Sequence, residues 1–130
     1  MPSYILESMD NLNDVIIHAP RKGNIEVLEE LVKLKGDVNT RDDKGYTPLI
    51  IACYNHPYAA AQFLIKAGTD INGTDFGGNT ALMGAAFKGY TDITELLIKK
   101  GADLHLQHGN GGTALMFATM FGRNHIVKIL

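Results

Sequence analysis

Residues 75–105 read DFGGNTALMGAAFKGYTDITELLIKKGADLH, from Asp75 to His105, and the rest of the chain copies this stretch. It opens on a glycine-rich turn at Gly77 and Gly78. Thr80 follows, whose hydroxyl can satisfy orphan N–H groups in the first turn of a helix. A short helix of small residues is predicted over Ala81–Lys88, with a break at Gly89. A second, more apolar helix is predicted over Thr91–Lys100, closed by Gly101 in the left-handed conformation that ends many helices. Isolated helices shorter than about 12–15 residues are marginal in water. This unit therefore needs neighbours.

The neighbours recur at a fixed step. Thr47, Thr80 and Thr113 lie 33 residues apart, as do Gly45, Gly78 and Gly111, Leu49, Leu82 and Leu115, and Ala52, Ala85 and Ala118. Gly68 and Gly101 keep the step, and so do Asp37, Asp70 and Asp103. Extended backward, the register puts Asp14 in the cap slot, Gly23 opposite Gly89, and Asn39 opposite Asn72. Self-similarity at this period signals a solenoid in which each unit contacts only its sequence neighbours. The repeating text, DDKGYTPLIIAC…AGTDIN, DFGGNTALMGAAFKGY…KKGADLH and HGNGGTALMFATMFGR, resembles the ankyrin repeat over Leu12–Leu130. The resemblance implies an all-α ankyrin-repeat solenoid of about four helix-turn-helix repeats with short β-turn hairpins. They are expected at residues 12–41, 42–74, 75–107 and 108–130, the last one truncated, after an N-terminal extension over residues 1–11.

Composition fits one globular domain. The chain has 130 residues, 45% of them apolar, enough for a continuous core shared among the repeats. A net charge of −2 gives no reason to expect nucleic acid or an anionic membrane as a partner. The single Cys53 rules out an intramolecular disulfide framework. No apolar run approaches the roughly 18–20 residues of a membrane span, and the N-terminus has no signal pattern, so a cytoplasmic protein is expected.

Departures from the repeat carry their own expectations. Tyr4, Ile5, Leu6 and Met9 can form a turn over the N-terminal end of the stack, or belong to a partly ordered tail. The first helix, Val15 to Lys22, contains Pro20, which removes a backbone donor and predicts a kink or early end. Asn24 is a candidate cap for the next helix, whose apolar stripe is Ile25, Leu28, Leu31 and Val32. Lys35 stands in a glycine slot, so the turn there should differ. Thr47-Pro48 starts a helix with proline at the position where its missing N–H costs nothing. His56-Pro57 replaces the Gly-His expected at the inter-helix turn. The family's TPLH histidine, which the resemblance implies would help tie the hairpin to the helix start, falls on Ile50, Met83 and Met116, so the hairpin hydrogen bonding, though not the fold, loses its usual imidazole partner.

No catalytic constellation emerges. Cys53 and His56 are three apart, yet Cys53 occupies a slot filled by Ala86 and Thr119, so it reads as a packed core residue. His105 and His108 are two histidines, short of the four ligands a structural zinc site needs. Asp42, Asp43 and Asp75 belong to turns, where aspartate bonds to local backbone. The GNGG after His108 lacks the lysine and preceding strand of a phosphate loop. No cofactor and no metal are expected.

A surface remains. By the resemblance, turn tips and first helices line a concave face for a protein partner. That face would hold Arg41, Asp43, Lys44 and Tyr46, then Thr74, Phe76 and Asn79, then Gln107 and Asn110. Tyr54, Phe87 and Met120 fall 33 apart and should align as a column, with Asn55, Lys88 and Phe121 beside them. Aromatic residues on a polar concave face match the composition of binding hot spots, and the same residues can instead close the gap between helix layers. Two alternatives stay open. One is a self-associating or structural unit pairing through an end of the stack, where the final helix is rich in Ile126, Val127, Ile129 and Leu130 and either frays or is covered by another chain. The other, implied by the resemblance, is a substrate of an asparaginyl hydroxylase at Asn39 and Asn72.

Overall fold

The computed structural model describes residues 16–22, 25–34 and 36–130. The expected N-terminal turn over Tyr4, Ile5, Leu6 and Met9, the caps at Asp14 and Asn24, Val15, the Gly23 position and the Lys35 turn lie outside them. The elements are a 3-10 turn (Ala19–Lys22), α1 (Ile25–Lys33), α2 (Pro48–Asn55), α3 (Tyr58–Lys66), α4 (Ala81–Lys88), α5 (Thr91–Lys99), α6 (Ala114–Met120) and α7 (Asn124–Ile129). They pack in two layers. The 3-10 turn, α2, α4 and α6 form the inner layer and α1, α3, α5 and α7 the outer, each helix touching its own pair and the neighbouring repeats.

Small residues explain the spacing. Ala52, Ala85 and Ala118 on the inner helices are fully buried and let α2, α4 and α6 approach closely. Leu64, Ile93, Leu97 and Ile126 from the outer helices fill the space behind them. At the N-terminal end, residues 16–18 are α-helical and then tighten into the 3-10 turn that contains Pro20. The proline supplies no N–H to continue an α-helical ladder, so the expected early end is present.

Thr47, Thr80 and Thr113 each cap an inner helix, their hydroxyls accepting from the N–H of Ile50 (3.1 Å), Met83 (3.2 Å) and Met116 (3.3 Å). The hairpins close without the family's histidine. Asp42 N donates to Tyr46 O (3.1 Å), Asp75 N to Asn79 O (3.0 Å) and His108 N to Gly112 O (2.9 Å). The turns between are held by side chains: Asp42 Oδ1 accepts from Lys44 N and Tyr46 N, Asp75 Oδ1 from Gly77 N and Asn79 N, and His108 Nδ1 from Asn110 N. The missing TPLH imidazole is therefore not what closes these hairpins. Met83 Sδ even accepts a weak bond from Thr80 N (3.4 Å).

Neighbouring hairpins are joined by two kinds of tie. At the hairpin tips, Phe76 N donates to Lys44 O (3.3 Å) and Gly109 N to Gly77 O (2.8 Å). At the hairpin bases, Asn39 Oδ1 accepts from Asp70 N (2.8 Å) and from the Thr69 hydroxyl (3.0 Å), and Asn72 Oδ1 accepts from Asp103 N (2.8 Å). A net hydrogen bond contributes about 0.5–1.5 kcal/mol. Asn39→Ala should therefore lower stability by about 1 kcal/mol in urea unfolding; an unchanged midpoint would show that water replaces the amide at no cost.

Between the two helices of a repeat the chain turns through a left-handed residue, Gly89 (φ 81°) in the third repeat and Gly122 (φ 68°) in the fourth. His56 holds that position in the second repeat with φ 69°, alone among the described non-glycine residues. Such a conformation costs a side-chain-bearing residue on the order of 1–2 kcal/mol. Contacts to the next repeat offset it: His56 Nε2 lies 3.0 Å from both carboxylate oxygens of Asp92, and its ring is 4.5 Å from that of Tyr90.

At the C-terminal end Ile126 is fully buried, and Val127 and Leu130 pack on the core that holds Ile93, Leu96 and Leu97. The inner helix of this repeat is less covered. Leu82 is 2% exposed, whereas Leu115 at the same register position is 43% exposed.

Candidate functional site

The inner helices and hairpins enclose a groove of about 530 Å³, lined by Tyr46, Ile50, Ile51, Tyr54, Asn55, Asp75, Asn79, Thr80, Met83, Gly84, Phe87 and Phe117. It runs from the turns of the second and third repeats to the C-terminal ends of α2 and α4. Volumes of about 300–1,000 Å³ with an apolar lining and a few polar groups are usual for ligand sites. The apolar part comes from Ile50, Ile51, Met83 and the aromatic rings, and the polar part from Asn55, Asp75 and Asn79.

Along one wall the 33-residue step stacks aromatic rings. Tyr54 and Phe87 lie nearly parallel, 8° apart, with centroids 6.1 Å apart. Phe87 also meets Phe121 edge-on at 4.6 Å. Of the expected column of Tyr54, Phe87 and Met120, the first two stack, and the next ring contact comes from Phe121, which was expected beside the column. Phe121, one residue on and at the C-cap of α6, supplies the ring, while Met120 is 73% exposed. Phe87, clamped between two rings, is half-buried. Lys88 Nζ sits 4.9 Å from the Tyr54 ring centroid, within the range of a cation–π contact.

Of the residues expected on the face, Tyr46, Tyr54, Asn55, Asn79 and Phe87 line the groove. Lys88 and Phe121 flank it through Tyr54 and Phe87. Arg41, Asp43, Lys44, Phe76, Gln107, Asn110 and Met120 are exposed and Thr74 half-buried, all outside the groove lining. The Phe76 ring lies over Gly45 at a hairpin tip. Sequence reasoning missed Ile50, Ile51, Asp75, Thr80, Met83, Gly84 and Phe117. A signal existed for one of them. Gly84 interrupts a register that holds Ile51 and Phe117 in the flanking repeats, and glycine inside a helix is unfavourable without a reason.

The other candidate chemistry separates in space. Cys53 is fully buried, and burial pushes its thiol pKa up, so it stays protonated and unreactive. His56 is exposed and bonded to Asp92. His108 packs against Phe117 at 5.1 Å, and no group of three or more potential metal ligands occurs among the described residues. Among those residues no helix is long and apolar enough to cross a membrane.

Comparison with known families agrees with this architecture. A profile of ankyrin repeats (many copies) matches residues 31–85, and one of ankyrin repeats (3 copies) matches residues 71–130. The chain belongs to the ankyrin repeat family. No curated protein matches it.

Proposed function

We propose that this chain is a non-catalytic module that binds a protein partner through the concave groove. Ankyrin repeats are generally protein-interaction modules, and one observation supports the groove as the contact: the ring series Tyr54–Phe87–Phe121 borders a mostly apolar cleft. Aromatic anchors beside a desolvated cleft are where binding energy concentrates. The partner-facing set is Tyr46, Tyr54, Asn55, Asn79, Phe87, Lys88 and Phe121, with Arg41, Asp43, Lys44, Thr74, Phe76, Gln107, Asn110 and Met120 as outer contacts.

The test is selection of binders from a random peptide library on the immobilised chain, followed by affinity measurement against variants. Tyr54 is 44% exposed, so Tyr54→Ala should leave the fold largely intact. Loss of a hot-spot anchor costs 2 kcal/mol or more, so affinity should drop by roughly thirtyfold or beyond. Binders that ignore Tyr54→Ala would place the contact elsewhere, and a library yielding none would count against the module itself.

A further inference from the structure

Gly84 and Asp75 give the groove a specific chemistry. Gly84 is the glycine of α4 at the register position of Ile51 and Phe117, and its face opens into the groove. A Cβ added there would meet only Tyr54 Cδ2, at 3.6 Å, an ordinary contact. Contact with the neighbouring repeat therefore does not require the glycine, and glycine inside a helix is unfavourable relative to alanine. The groove into which it opens is also lined by the aromatic and aliphatic side chains of Tyr54, Phe87, Phe117 and Ile51.

Asp75 lies in the same cleft and is buried, 8% exposed. Its Oδ1 is taken by Gly77 N, Asn79 N and Asn79 Nδ2, while Oδ2 accepts only from Asn79 Nδ2 at 3.1 Å. Among the described residues no lysine or arginine pairs with it. A carboxylate with acceptor capacity at one end of an aromatic-walled cleft complements a long side chain with an apolar stem and a cationic head. Arginine fits best, because a guanidinium both stacks on aromatic faces and donates to a carboxylate.

Resting on the protein-binding reading above, we propose that the Gly84 notch is the specificity pocket of the groove and takes an arginine side chain of the partner, its guanidinium meeting Asp75. Alanine at position 84 begins to fill the pocket and leucine closes it.

The experiment titrates the full ¹⁵N-labelled chain with a blocked alanine pentapeptide carrying arginine at its centre, and with counterparts carrying citrulline or leucine there. The arginine peptide should move the amide signals of Gly84, Asn79 and Thr80. Citrulline, of the same shape without the charge, should bind about tenfold more weakly, as expected for losing a hydrogen bond to a charged group. Asp75→Asn keeps the side-chain oxygen that holds the turn and should bring the two peptides to equal affinity. Gly84→Ala should weaken the arginine peptide several-fold and Gly84→Leu should abolish its shifts, with the Tm of Gly84→Ala at or above that of the parent chain. A leucine peptide that binds as well as the arginine one, an arginine preference that survives Asp75→Asn, or an unmoved Gly84 signal would each overturn the proposal. If library binders still depend on Tyr54 in that case, protein binding stands and only the arginine pocket falls.

Discussion

Leu82→Ala is expected to destabilise the chain by about 2–5 kcal/mol, and Leu115→Ala, the same substitution one repeat later, by about 1 kcal/mol. Leu82 is 2% exposed and belongs to the continuous core between α2 and α6, so its truncation leaves a cavity whose walls are neighbouring repeats. Leu115 is 43% exposed, and water already covers much of what alanine would uncover. Domains of this size have total stabilities of about 5–15 kcal/mol, so the first variant should approach marginal folding. Urea titrations of both variants, read by far-UV circular dichroism, give the comparison directly. Equal costs at the two positions would mean that the last repeat is covered in solution.

Gly45→Ala should cost roughly 2–4 kcal/mol, from left-handed strain together with overpacking. Gly45 has φ +83°, and a Cβ there would lie 2.6 Å from Phe76 N and 2.8 Å from the Phe76 ring. The ring can swing away, since Phe76 is 70% exposed. The nitrogen cannot move without breaking its bond to Lys44 O, one of the ties between the second and third repeats. Gly111 serves as the control. It has φ +88° but nothing within 4 Å of an added Cβ, so Gly111→Ala should carry only the strain, about 1 kcal/mol. Thermal unfolding resolves the difference, at about 2–8 °C per kcal/mol in domains of this size range. A Gly45→Ala variant as stable as Gly111→Ala would show that the hairpin tips are not packed on one another.

Much of the fold was legible because the period and the punctuation agree. The threonine caps and the glycines at 33-residue steps bound α4 at Ala81–Lys88 as predicted, and α5 ends at Lys99, one residue short of the predicted Lys100. What could not be read was how neighbouring side chains meet. The register alone aligned Met120 with Phe87, but α6 is shorter than α4, and Phe121 at its C-cap supplies the ring instead. Asp75 was legible as a turn former, but its place in a cleft shared with Tyr46 and Tyr54 of the preceding repeat follows only from the packing of neighbouring repeats. The turn-holding role of Asp42 and Asp75 was legible, whereas His108, in the same register slot, holds its turn through a ring nitrogen that the aspartate pattern does not signal.

The ties at the hairpins also have a mechanical consequence. Each pair of neighbouring hairpins among residues 37–46, 70–79 and 103–112 is joined by a tip bond, such as Gly109 N to Gly77 O, and a base bond, such as Asp103 N to Asn72 Oδ1. These bonds cross only one joint apiece, and helix contacts likewise reach only adjacent units. A tensile load applied to the two ends is therefore carried in series, like links in a chain, and is not shared in parallel as in a sheet sheared along its strands. Rupture should begin at the weakest joint and travel outward in steps of one repeat, giving a sawtooth of small forces in place of a single large break.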